Sequence, residues 1–183
     1  KAGLPTRPKA KRFGYAFLYG AGNELLGDIV ADEGASTKEK RRVGKELRTK
    51  FLNGIPALKK LQNKVKRTAR KRGYLIGLDG RHLEVRAIYR ALNTLLQSAG
   101  ALVMKKALVI ADRDLQAKGY VPNEDYEYVL NIHDEIQTEC RPELTEEVGE
   151  TIVEAIRKAG EYFDFRCPLD GDIDIGDSWA ETH

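Results

Sequence analysis

Apolar residues fall at helical spacings up to Arg72, gather into strand-like runs after Gly73, and alternate between the two patterns from there on. Thr6 can cap a first helix, with Pro8 tolerated in its first turn. That helix is predicted to run to about Tyr19 and to stop at Gly20-Ala21-Gly22, and a short apolar segment over residues 25–30 follows. Ser36 and Thr37 offer N-caps for a strongly basic helix ending near Asn53-Gly54, and Pro56 starts another. In this last helix Leu58, Leu61 and Val65 give an apolar stripe at spacings of three and four. Residues 74–78 and 82–85 flank Asp79-Gly80, a strong hairpin signal. A long helix is predicted from about Ile88 to Lys118, ending at Gly119. Residues 126–132 read as a buried strand and 136–140 as a second, with His133-Asp134-Glu135 between them. Residues 144–160 form an acidic amphipathic helix, and an extended tail runs to His183. The fold class is therefore α+β: a basic helical lobe, then a small antiparallel sheet with helices.

A chain of 183 residues suits one domain or two small lobes, and 42% hydrophobic residues exclude global disorder. No run approaches the roughly 20 apolar residues of a membrane span, and no secretory leader pattern is present. Two cysteines, Cys140 and Cys167, cannot build a disulfide scaffold and point to a reducing cytoplasm. The start at Lys1 without Met reads as a fragment. The net charge of +3 conceals an asymmetry. Residues 1–72 hold 20 Lys and Arg against 6 Asp and Glu, a net +14. Residues 73–183 hold 11 against 22, a net −11. Such a split is what a nucleic-acid-facing part joined to an acidic part produces, and equally what two solvated helix surfaces produce.

Three constellations could carry chemistry. Arg7, Lys11, Tyr15 and Tyr19, each four apart, share one broad helix face about 18 Å long. Two cations near a helix N-terminus suit an anion, and the rings beyond them could stack on bases. Taken alone, the stripe reads first as exposed cations and half-buried tyrosines on a helix surface. His133-Asp134-Glu135 at a strand–strand bend places a carboxylate where it could bind a divalent cation, although Asp also simply suits turns. Asn93 and Gln97, four apart on the long helix, could hydrogen-bond base edges or be ordinary surface amides.

Taken in order, the three stop being independent. Arg7, Lys11, Tyr15, Tyr19 and Gly20 resemble motif B of family A DNA polymerases, the nucleotide-binding helix of the fingers. His133-Asp134-Glu135 after an apolar strand resembles motif C, and Asn93 with Gln97 resembles the amides of the family's palm helix. Residues 17–22 and 77–81, with the ending Trp179-Ala180 to His183, are similar to the phage T7-type replicative branch. The resemblance covers nearly the whole chain.

It implies a fingers part over 1–72 and a palm part over 73–183. Arg7 and Lys11 would bind the phosphates of a dNTP, and Lys11 could also protonate the pyrophosphate leaving group. Tyr15 would pack on the sugar and base. Tyr19 and Gly20 would sit at the templating base. Asn93 and Gln97 would contact the primer-template, and His133 would hold the primer end. Asp134 would bind Mg²⁺, one of two ions in the complete enzyme, with Glu135 assisting. The reaction implied is attack of a primer 3′-hydroxyl on an α-phosphorus, with metals and fixed cations neutralising the charge. The resemblance also implies a phage-infected or bacterial cytoplasm, no membrane, and room for a processivity factor. The family's other metal-binding aspartate, in motif A, has no match, so the chain is expected to be inactive without a segment supplying it. The alternatives are a subunit of a split polymerase or a non-catalytic DNA-binding module. A metal-dependent nuclease would need Asp170, Asp172, Asp174 or Asp177 near Asp134.

Overall fold

The computed structural model describes residues 3–182 and divides into two compact units, one up to Gln97 and one from Ser98 on. The charge follows this division: the first unit holds 23 Lys and Arg against 8 Asp and Glu, the second 8 against 20. The fold is α+β, with two separate two-stranded antiparallel sheets.

In the first unit, α1 (Arg7–Leu18) starts where Thr6 accepts a hydrogen bond from the backbone N–H of Lys9 at 3.4 Å. It ends in a Schellman turn. Gly20 N–H donates to Phe17 C=O at 3.1 Å, and Ala21 N–H donates to Ala16 C=O at 2.9 Å. That turn puts Gly20 at φ +83°, a conformation in which a side chain is strained. Two further helices follow, α2 (Asn23–Asp28) and α3 (Thr37–Gly54). They cross backbone to backbone at Gly44, where a Cβ would overlap the carbonyl oxygen of Asn23. Phe13 and Phe17 on the inner side of α1 pack edge-on against Phe51, with centroids 5.4 and 5.1 Å apart, over Leu26 and Ile29.

The fourth helix, α4 (Pro56–Arg72), ends at Gly73. Its inward stripe is Leu58, Gln62, Val65 and Ala69. Leu61, expected on that stripe, is exposed instead, because spacings of four, three and four rotate the buried face away from it. The first hairpin, β1 (Tyr74–Ile76) and β2 (His82–Glu84), is closed by a loop rather than a two-residue turn. Gly80 N–H donates to Gly77 C=O, and Gly77 N–H donates to Arg81 C=O. Asp79 pairs with the Arg81 guanidinium and accepts its backbone N–H. A 3-10 turn over Ile88–Arg90 leads into α5 (Ala91–Ala117), and the division between the units falls inside this helix.

The stretch Ile88–Ala117 is long and apolar enough by composition to cross a membrane, contrary to the expectation that no run comes close. Part of it is built into cores, Ala91 and Leu92 in the first unit and Val103, Ala107, Ile110, Ala111 and Leu115 in the second, while Leu96 and Val109 are exposed and 28% of its apolar window is buried.

The second unit packs α5 against α6 (Thr145–Tyr162) through Ala107, Ile110, Ala111, Ala155 and Ala159, beside the hairpin β3 (Tyr126–Ile132) and β4 (Glu135–Cys140). The expected buried strand at 126–132 is buried only at its start. Tyr126 is 2% exposed, whereas Val129 is 54% and Ile132 39% exposed. A bulge at Val129 breaks the pairing between Tyr128 and Leu130, and beyond it the hairpin leaves the helices that cover its base.

Candidate active site: a cationic helix face and an acidic hairpin tip

Every member of the first stripe faces outward. Arg7 and Lys11 are exposed and have no acidic partner among the described residues. Tyr15 and Tyr19 are 53% and 50% exposed. The split of α1 into an apolar face, Phe13 and Phe17, and a cationic-aromatic face follows from the spacing, since those phenylalanines lie half a turn from the stripe. No acidic residue occupies the first turn, so the positive end of the helix is uncompensated beside Arg7.

Tyr19 is the C-cap of α1 and does not stand alone. Gln97 Nε2 on α5 donates to the Tyr19 hydroxyl at 3.0 Å, joining residues 78 positions apart in sequence. Gly20 is pressed on Tyr89: a Cβ there would lie 2.6 Å from the Tyr89 carbonyl oxygen. Asn93, one turn before Gln97 on the same helix, is half-buried. Tyr19 and Gln97 are thus brought together at the C-terminal end of α1, with Asn93 one turn before Gln97 on α5.

A residue missed in the sequence holds that end in place. Arg48 on α3 donates from Nε to Asn23 Oδ1 at 2.8 Å and from Nη2 to the carbonyl of Ala21. Its guanidinium also lies 5.6 Å over the Phe17 ring, and burial pushes its pKa down. One of many cations in a basic helix, it carried no local signal; only the fold reveals that this one is turned inward. Arg48→Ala is expected to leave a carbonyl and an amide without their donor and to cost about 2 kcal/mol. A thermal melt should show the loss as a Tm lower by about 6 °C. Arg48→Lys is expected to recover only part, because a point charge cannot reproduce the forked pair of bonds.

A second candidate site lies in the unit from Ser98 on, at the tip of its hairpin. Ile132 pairs with Glu135, so the bend contains only His133 and Asp134, and Glu135 is the first residue of β4 rather than part of the turn. His133 takes φ +53°, an uncommon conformation for a residue with a side chain. Both His133 and Asp134 are exposed, and Glu135 is half-buried. Gln137 Nε2 donates to Glu135 Oε1, and Thr182 Oγ1 donates to Gln137 Oε1 at 3.4 Å, so the C-terminal tail reaches Glu135 through Gln137. At the base of the hairpin the Tyr126 hydroxyl donates to Asp112 Oδ1 at 2.7 Å. Burial and that carboxylate push the Tyr126 pKa up to about 12.

As a divalent-cation site the hairpin tip offers one exposed carboxylate with a second beside it. No group of three His, Cys, Asp or Glu able to hold a metal exists among the described residues. The residues present fit one side of such a site and do not fit a whole one. Of the tail carboxylates, Asp170 is bound to Arg157 at 2.7 Å, and none forms a group of three possible ligands with Asp134 among the described residues.

The chain matches DNA polymerase family A over residues 4–181. It is 43% identical to the DNA-directed DNA polymerase of Enterobacteria phage T3, over all of this chain and 27% of that protein. It is also 43% identical to the DNA-directed DNA polymerase of Escherichia phage T7, again over the whole chain and 27% of the relative. The DNA polymerase I of Aquifex aeolicus is 28% identical over 96% of the chain. Among solved structures, the POL domain of Pol1 from M. smegmatis, in complex with DNA primer-template and dNTP, matches with a TM-score of 0.69 at 22% identity. That likeness of fold covers 84% of this chain and 27% of that one. The chain thus spans about a quarter of the length of its phage relatives.

Proposed function

The chain belongs to DNA polymerase family A, and from this we propose that it is the nucleotide-gripping part, with one side of the metal site, of a template-directed DNA polymerase. The observation that carries the reading is the outward face of α1, where two unpaired cations lead into two exposed tyrosines. A triphosphate followed by a sugar and a base has that order of chemistry. Arg7 and Lys11 bind the phosphates, and Lys11 can pass a proton to the leaving pyrophosphate. Tyr15 packs on the sugar and base, and Tyr19 with Gly20 meets the templating base. Asn93, Gln97 and His133 contact the primer-template. Residues 1–72 serve as fingers and 73–183 as palm.

Asp134 is the direct ligand for Mg²⁺, and Glu135 assists it. When bound, such ions lower the barrier by neutralising charge on the entering and leaving oxygens. The remaining ligands come from a segment carrying motif A, outside the described residues. DNA, dNTPs and that segment are accordingly the partners, in a bacterial or phage-infected cytoplasm. The test is primer extension with dNTPs and Mg²⁺. The 183-residue chain alone is expected to be inactive and the longer polymerase containing it active; robust extension by the chain alone would overturn the division of the metal site.

A further inference from the structure

The sequence singled out a cation-rich helix that the α1 site does not use. In α4, Lys60, Lys64, Arg67 and Lys71 are all exposed, at spacings of four, three and four. At about 100° per residue this stripe lies roughly 160° around the helix from the buried Leu58, Gln62, Val65 and Ala69. The helix contains no acidic residue, and none of the four cations has an ion-pair partner among the described residues. Three of the seven cations of the preceding helix α3 are paired instead: Lys40, Arg41 and Arg42, to Asp28, Glu24, Glu39 and Glu46. Nearby, burial first and then the charges of Arg48 and Arg70 push the Lys66 pKa down. The positive charge of the stripe is therefore uncompensated among the described residues.

We propose that the α4 stripe is a contact surface for the phosphate backbone of one DNA strand, separate from the dNTP-binding face of α1. The proposal rests on the polymerase reading above. From Lys60 to Lys71 the stripe is about 16 Å long, and a DNA strand presents a phosphate every 3.4 Å or so of axis, so it faces about five phosphates. Its chemistry favours a nucleic-acid backbone over an acidic protein. The four positions carry no aromatic or apolar anchor of the kind that dominates protein interfaces, whereas phosphate contacts need only cations and polar groups.

The test measures binding of a labelled primer-template to the full chain by fluorescence anisotropy across a KCl titration. The stripe variant is Lys64→Gln/Arg67→Gln/Lys71→Gln. The control is Lys38→Gln/Lys45→Gln/Lys50→Gln, which removes the same charge from exposed positions of α3. Far-ultraviolet circular dichroism checks that both keep their helices. The stripe variant is expected to flatten the slope of log K against log[KCl] by about 2.7, near 0.9 per lost contact, and to bind at least about tenfold more weakly at 0.1 M salt. The control is expected to change the slope by less than about one. Equal changes in both variants would reduce the effect to net charge and overturn the proposal. So would an unchanged slope in the stripe variant together with loss of binding to a poly-glutamate peptide, which would make the partner an acidic protein. If the unmodified chain binds no primer-template even at low salt, the polymerase reading fails; if it binds and the stripe variant matches it, only the stripe does.

Discussion

Asp134→Ala is expected to lower primer extension by the full-length polymerase about 10³-fold or more, while leaving its Tm within about 1 °C. The two halves of that expectation have separate physical grounds. Asp134 is exposed at the tip of a two-residue bend. Among the described residues it makes no hydrogen bond or ion pair that the substitution would remove, so its removal belongs with surface substitutions worth within about 0.5 kcal/mol. The role proposed for it is instead to hold a cation against oxygens whose charge grows in the transition state. Stabilisation of that kind is worth several kcal/mol, and about 1.4 kcal/mol corresponds to each tenfold in rate. Single-turnover extension at saturating dNTP reads the chemical step directly. Glu135→Gln is expected to fall less, because Glu135 is half-buried in β4 and held by Gln137. Activity retained within tenfold in Asp134→Ala would place the metal ligand elsewhere.

What the sequence revealed and what it hid divide along the range of the interactions involved. The ends of α1 were legible because each depends on neighbours: Thr6 bonds three residues ahead, and Gly20 closes a turn over its own helix. The outward stripe was legible for the same reason, through spacing alone. Burial was not. A run such as 126–132 looks interior, yet in a two-stranded hairpin only its base is covered. In α4 a glutamine took a core position and Leu61 lost it, because the covering chain selects the face and no local propensity records that choice. The joins that shape the candidate site were also hidden. Gln97 to Tyr19, Arg48 to Ala21 and Thr182 to Gln137 each link distant residues whose types are common in surface positions.

Tyr15→Phe is expected to make the full-length polymerase discriminate against dideoxynucleotides about 10- to 10²-fold more strongly, with incorporation of ordinary dNTPs nearly unchanged. Tyr15 is 53% exposed on the face between Lys11 and Tyr19, and its hydroxyl makes no hydrogen bond among the described residues. That hydroxyl is therefore available to a ligand. A nucleotide with a 3′-hydroxyl carries its own donor beside its phosphates; a dideoxynucleotide lacks it, and the tyrosine hydroxyl can take its place. Phenylalanine keeps the ring and its packing but removes the substitute donor. One hydrogen bond to a charged group is worth about 1.5–3 kcal/mol, which sets the size of the effect. The loss falls only on the dideoxy substrate, because the natural one supplies its own hydroxyl. Competition between dTTP and ddTTP, read as the ratio of their kcat/KM values, measures it without interference from fold stability, since an exposed hydroxyl contributes little there. A ratio unchanged by the substitution would remove Tyr15 from the sugar of the incoming nucleotide. In that case the phosphate end of α1, at Arg7 and Lys11, would be left without a neighbouring sugar contact, and the order of chemistry along the helix would have to be read anew.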